Sequence, residues 1–271
     1  MRNESKLVKE FMKNGKLVSF PVIDAHTHMG PDSGADMPFS SPEQMIEVMD
    51  RENIERIFCS PHSALHDPNV GNSELEEVMK KYPGRVMGYY CFNPNYEERF
   101  LENIENVITV PGYIGLKFLP TYHRYPLDGD NYKKALEFAN KHKLYILIHT
   151  WGNNDPHNGP RHIKMLCEKY PDIMFIMGHS APGELDGAID IVKNHDNVML
   201  DICDIHRHNG IIDKMVREVG ADKVVFGTDM PWYDPNYGIG SVLFSRISDE
   251  DKYKILYGNA KKIADRFEKK V

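Results

Sequence analysis

The chain lacks the marks of several large protein classes. No apolar run approaches the ~20 residues that span a bilayer. The charged start Met1-Arg-Asn-Glu-Ser-Lys has no apolar stretch behind it that would read as a secretory signal. Only four of 271 residues are cysteine, and Cys59, Cys91, Cys167 and Cys203 show no C-x-x-C spacing, which disfavours a disulfide framework or a thiolate zinc finger. They read as small buried thiols, three of them inside apolar runs, and fit a cytoplasmic protein. Long basic runs are absent and the formal net charge is −7, so neither nucleic acid nor a membrane is an expected partner. No G-x-G-x-x-G follows the first apolar run, which disfavours a dinucleotide-binding fold. No Pro/Gly/Ser-rich linker divides the chain. What is left is 41% hydrophobic and 27% charged residues, the composition of an ordinary globular protein.

Against that background a regular rhythm stands out. Residues 1–20 read as an amphipathic lead-in (Leu7, Val8, Phe11, Met12) closed by the turn signal Asn14-Gly15, and 21–271 read as one domain. Strand-like runs are expected at 21–26, 56–60, 86–92, 113–119, 144–149, 173–177, 198–202 and 224–227. A helix-patterned segment follows each. One helix should start at Ser41-Pro42. Another should open on the capping box Ser73-x-x-Glu76, a third near Asn95 with Leu101, Ile104 and Ile108 facing inward, and the last should cover 259–269. Parallel strands joined by helical crossovers need roughly 30 residues per unit, and continuous apolar strands are those covered on both faces. Eight such units make the expected fold class α/β, a single-domain (β/α)8 TIM barrel.

Four of the apolar runs end in residues that can hold a metal. The first is Pro21-Val-Ile-Asp-Ala-His-Thr-His28; on a strand, His26 and His28 project to the same side. The others end in His149, His179 and Asp229. Among thirteen histidines only His142 and His195 precede a strand, so the rest gather at the barrel end where active sites are built. Barrel closure would bring Asp229 beside His26 and His28, with His149 and His179 across the mouth. Three imidazoles and a carboxylate suit one divalent ion, Zn²⁺ first, with Mn²⁺, Fe²⁺ or Ni²⁺ as alternatives. Lys117, inside an apolar strand, is costly to bury without a partner, and Trp151, Trp232 and Tyr233 follow strand ends where they can wall a pocket. Asp24 reads as a structural cap of the barrel mouth. His62, His66, His123, Arg124, Arg161, His206 and Arg207 lie in loops from which a substrate carboxylate could be received.

The ordered motifs D-A-H-T-H, G-L-K-F-L-P, I-H-T, M-G-H-S and F-G-T-D-M-P-W, with Y-G-N-A at 257–260, resemble the amidohydrolase superfamily. Within it they are most similar to the amidohydrolase-related group of metal-dependent hydrolases and decarboxylases, over residues 21 to about 267. The resemblance implies His26, His28, His149 and Asp229 as metal ligands, with Asp229 also taking a proton. His179 is implied as acid/base or as ligand of a second ion, and Lys117 as a lysine facing the substrate, one ion being expected rather than two. The expected activity is hydrolysis of an amide, lactone or related ester of a small, carboxylate-bearing molecule; the alternative is non-oxidative decarboxylation of an unsaturated or aromatic acid. A homodimer is compatible with either.

Overall fold

A computed structural model describes residues 5–32 and 34–268. Eight parallel strands follow one another around a ring in sequence order: β1 Val22–Thr27, β2 Ile54–Cys59, β3 Val86–Phe92, β4 Tyr113–Phe118, β5 Tyr145–His149, β6 Met174–Gly178, β7 Val198–Asp201 and β8 Val224–Val225. Every residue of β1, β3, β4 and β5 is buried, because side chains on one face fill the barrel and those on the other meet the helices. The expected (β/α)8 barrel is the fold observed.

The ring closes through the segment after β8. Ala25 N donates to Phe226 O (2.8 Å), Asp229 N to His26 O (2.9 Å) and His28 N to Met230 O (2.7 Å). Asp24 strengthens the same seam from within: its Oδ1 accepts from Thr228 N and its Oδ2 from the Thr228 hydroxyl. Burial pushes the Asp24 carboxyl up to about 8. The helix Pro42–Glu52 starts where expected, with reciprocal Ser41 and Gln44 bonds at its cap. The helix Lys6–Asn14 of the lead-in ends on Gly15 at φ 73°, a conformation that suits glycine.

Two local expectations are corrected. The helix that leads from β2 to β3 spans Pro68–Lys81 and is capped by Asp67, whose side chain accepts from Asn69 N. Ser73 and Glu76 therefore lie inside the helix rather than at its start. Gly71, which discourages an earlier start in sequence, is there because a Cβ would come within 2.3 Å of Ala64 N. The helix expected from Asn95 is broken into Glu97–Leu101 and Asn106–Thr109. Between them, three-residue turns join Asn103 to Phe100 and Asn106 to Asn103, as suits asparagines that favour turns over helix interiors. Phe100, Ile104 and Val107 are the buried residues there. The last helix is Asn259–Glu268; residue 269 of the expected span lies outside the described residues. No described helix is long and apolar enough to cross a membrane.

Candidate active site and metal centre

The strand ends at the C-terminal mouth of the barrel present one cluster of side chains. His26 and His28 leave β1 on the same side, ring centroids 5.4 Å apart. The protons of both rings can be assigned from their outer partners. His26 Nδ1 lies 2.7 Å from Asp201 Oδ2, and His28 Nδ1 lies 2.9 Å from the Ser60 carbonyl. Carboxylate and carbonyl oxygens only accept, so each Nδ1 carries the hydrogen and each neutral ring turns an Nε2 lone pair inward.

Those lone pairs meet a third. Asp229 Oδ1 is 3.1 Å from His28 Nε2 and 3.5 Å from His26 Nε2, and it has no well-formed hydrogen bond. Three acceptors facing one another repel unless a cation compensates them; the buried Lys117 ammonium, 2.8 Å from His26 Nε2, supplies part of that charge, and a divalent ion is the further cation this donor set suits. Ligand atoms ~2.1 Å from one ion are about 3.0 Å apart at a right angle and about 3.4 Å apart at a tetrahedral angle. The observed spacings match. Burial, with the Lys117 charge adding to it, holds His26 well below the ordinary imidazole range. Burial works to raise the Asp229 carboxyl, but its contacts with His28, His179 and His26 hold it well below the usual value. Neutral imidazoles beside an ionised carboxylate are the state a divalent ion requires.

His149 and His179 extend the cluster across the mouth. His179 Nε2 is 3.1 Å from His149 Nδ1, and His149 Nε2 is buried without a partner. Burial pushes His179 down to about 4 and His149 well below its ordinary value. His179, Ser180 and Ala181 hold positive φ angles of 65°, 55° and 49°, and Asp229 one of 66°. Each such residue costs ~1–3 kcal/mol. Neighbouring groups over-determine the turn after β6: His179 N donates to Asp201 Oδ2, Ser180 Oγ to Asp201 O, and Ala181 N to Thr150 O.

Among the described residues, the donor atoms lying within 4.8 Å of one another belong to His26, His179, Cys203 and Asp229. This set differs from the expected ligands. Cys203 enters it, while His28 joins through Asp229 and His149 through His179. Lys117 is also displaced from its expected place. Its ammonium is fully buried beneath the site, 2.8 Å from His26 Nε2, and does not line the cavity. Burial lowers its pKa.

Above the cluster opens a cavity of about 330 Å³. Tyr122, Trp151, Trp232, Tyr233, Leu65 and Leu119 form its walls, and His28, His149, His179 and Asp229 are at its floor. Trp151 stacks on the His179 ring at 4.7 Å, nearly parallel. Trp232 Nε1 donates to His62 Nε2 (2.9 Å), and His62 Nδ1 donates to Gly30 O. Both nitrogens of His62 are thus engaged, and burial pushes its pKa down to about 4. Of the loop residues considered as carboxylate receptors, His62 alone lines this cavity, and among the described residues no lysine or arginine does. A cleft of about 360 Å³ at the opposite barrel end, among Met79, Val86 and Val110, holds no histidine or cysteine.

The sequence reading missed Asp201 and Cys203. Both stand at the end of Val198-Met-Leu-Asp201-Ile-Cys203, an apolar run ending in a potential ligand like the four that were recognised. The same rule would have found them.

Solved structures share this architecture at low identity. The uncharacterised TIM-barrel protein Bb4693 of Bordetella bronchiseptica is 18% identical with a TM-score of 0.77, over 91% of this chain and 99% of that one. The 2,6-dihydroxybenzoate decarboxylase of Rhizobium is 15% identical with a TM-score of 0.70, over 91% and 99%. The dihydroxybenzoic acid decarboxylase of Polaromonas sp. JS666, solved with manganese and the inhibitor 2-nitroresorcinol, is 17% identical with a TM-score of 0.69, over 91% and 97%. Comparison with curated proteins gives no match. A family model described as amidohydrolase, in contrast, matches residues 23–264, and with that match over nearly the whole barrel the chain belongs to the amidohydrolase family.

Proposed function

We propose that the chain is a metal-dependent hydrolase that opens a lactone, cyclic amide or related ester of a small flat molecule. The carrying observation is the convergence of His26 and His28 Nε2 on Asp229 Oδ1 at the floor of an aromatic-walled cavity. His26, His28, His149 and Asp229 hold the ion, zinc first, in this reading. When bound, it supplies a Lewis acid that polarises a carbonyl and lowers the pKa of water from ~15.7 towards ~7. Asp229, ionised throughout the neutral range, accepts a proton from the attacking water. His179, neutral there because burial pushes it down to about 4, takes up and returns a proton at the leaving group. Trp151 fixes the His179 ring by stacking, and Tyr122, Trp232 and Tyr233 wall the ring of the substrate.

A second reading, non-oxidative decarboxylation of an aromatic acid, is favoured by the shared fold of the dihydroxybenzoate decarboxylases and by the four aromatic walls. Assay of a panel of lactones, cyclic amides and dihydroxybenzoates, with and without chelator, separates the two. Acid release without gas supports hydrolysis, and CO₂ release supports decarboxylation. His26→Ala should lose metal and turnover together, and His179→Asn should retain metal and lose turnover. Full activity in His26→Ala would remove the basis of both readings.

A further inference from the structure

We propose that Cys203 is a ligand of the bound ion, adding a thiolate to the imidazole and carboxylate donors and making the site one for a borderline-soft metal such as zinc. This rests on the metal reading above and goes beyond its ligand set. Cys203 follows β7, is fully buried, and its Sγ is within 4.8 Å of donor atoms of His26, His179 and Asp229. Its Sγ also lies 3.2 Å from His179 Nδ1, a hydrogen-bond contact that holds the thiol at the cluster. The main chain at Cys203 is held by Asp201, whose Oδ1 accepts from Cys203 N (3.0 Å) while its Oδ2 orients His26. One carboxylate thus holds the His26 ring and the Cys203 backbone together.

An independent sign that the site awaits a ligand partner comes from His149. It is 5% exposed, its Nε2 has no hydrogen-bond partner, and it stands on the cavity floor. The other three cysteines are buried outside this cluster. On metal entry the Cys203 S–H bond breaks, its electron pair forms the sulfur–metal bond, and the proton leaves to the buffer. Thiolate donors select zinc and its like, whereas carboxylate, carbonyl and water donors suit manganese. The chain is therefore expected to differ from its manganese-bound structural neighbours in metal preference.

The test uses the full chain, stripped by chelator and reloaded with one equivalent of Co²⁺. Visible d–d bands should appear together with an intense near-ultraviolet sulfur-to-cobalt charge-transfer band. Cys203→Ser should keep the former and lose the latter. Visible bands without the near-ultraviolet band in the unmodified chain, or persistence of that band in Cys203→Ser, overturn the assignment while leaving the metal reading in place. Cobalt that gives no bands at all overturns both. If Cys203→Ser does not fold, X-ray absorption at the zinc edge of the unmodified protein decides. A sulfur shell at ~2.3 Å is expected, and a shell of nitrogen and oxygen alone at ~2.0–2.1 Å refutes the proposal.

Discussion

Replacing Asp201 by asparagine should weaken metal binding without touching any inner ligand. Three N–H groups converge on this buried carboxylate: His26 Nδ1 (2.7 Å) and His179 N (3.3 Å) on Oδ2, and Cys203 N (3.0 Å) on Oδ1. An asparagine offers oxygen on one side only. With that oxygen towards His26, its NH₂ group opposes the Cys203 N–H and leaves a buried donor unpaired. With the NH₂ towards His26, the ring must accept at Nδ1 and carry its proton at Nε2, where the metal should bind. A charge-assisted hydrogen bond contributes ~1.5–3 kcal/mol, and ~1.4 kcal/mol is tenfold in affinity. Zinc binding in Asp201→Asn should therefore fall about 10- to 100-fold, the range typical when a group orienting a ligand is removed.

The measurement is competition against a chelating dye at pH 8. Burial pushes the Asp201 carboxyl up to about 6, so the native side chain is ionised at that pH. The gap between native and variant should narrow as pH falls through about 6, where the native carboxyl takes up its proton. Equal zinc affinity at pH 8, in a variant with unchanged thermal unfolding, would refute the tautomer argument.

Two further outcomes test the packing and the electrostatics. Gly227→Ala would place a Cβ 2.2 Å from Asp201 Oδ1 and 2.7 Å from His26 Cβ. Overpacking of this kind costs ~1–3 kcal/mol, so the midpoint of thermal unfolding should drop by roughly 2–10 °C and metal affinity should fall with it; an unchanged midpoint contradicts the packing. His123 is 7% exposed and burial pushes it down to about 4, against ~6.5 in an unfolded chain. The unfolded state takes up the proton first as pH falls, so this group makes metal-free stability rise with pH between about 4 and about 6.5. His123→Leu should gain about 2 kcal/mol relative to the native chain at pH 4.5 compared with pH 7, measured by urea unfolding; an equal difference at both values contradicts the shift.

The strand–helix rhythm and the ligand-bearing strand ends were legible in the sequence because both are local. A continuous apolar run of five to seven residues reports a strand covered on both faces, and period-2 geometry puts His26 and His28 on one side wherever the strand goes. Eight repeats of that unit leave few ways to close, so the barrel followed, and with it the proximity of Asp229 to residues some 200 positions earlier. One helix start was misread for the opposite reason. Ser73-x-x-Glu76 has the letters of a cap, but Asp67 and Pro68 start the helix earlier, and only the contact of Gly71 with Ala64 shows why a glycine is tolerated in its first turns.

Tertiary structure alone decided how the side chains at the barrel mouth are used. Nothing local distinguishes Lys117 facing a substrate from Lys117 buried against His26 Nε2, or a thiol in a core from Cys203 beside His179. Proton positions on His26 and His28 depend on Asp201 and Ser60, which come from other strands. Sequence determines which groups each strand end can offer. Which atom of each group faces the common point, and which charges are missing from the cavity wall, are properties of packing between segments far apart in the chain.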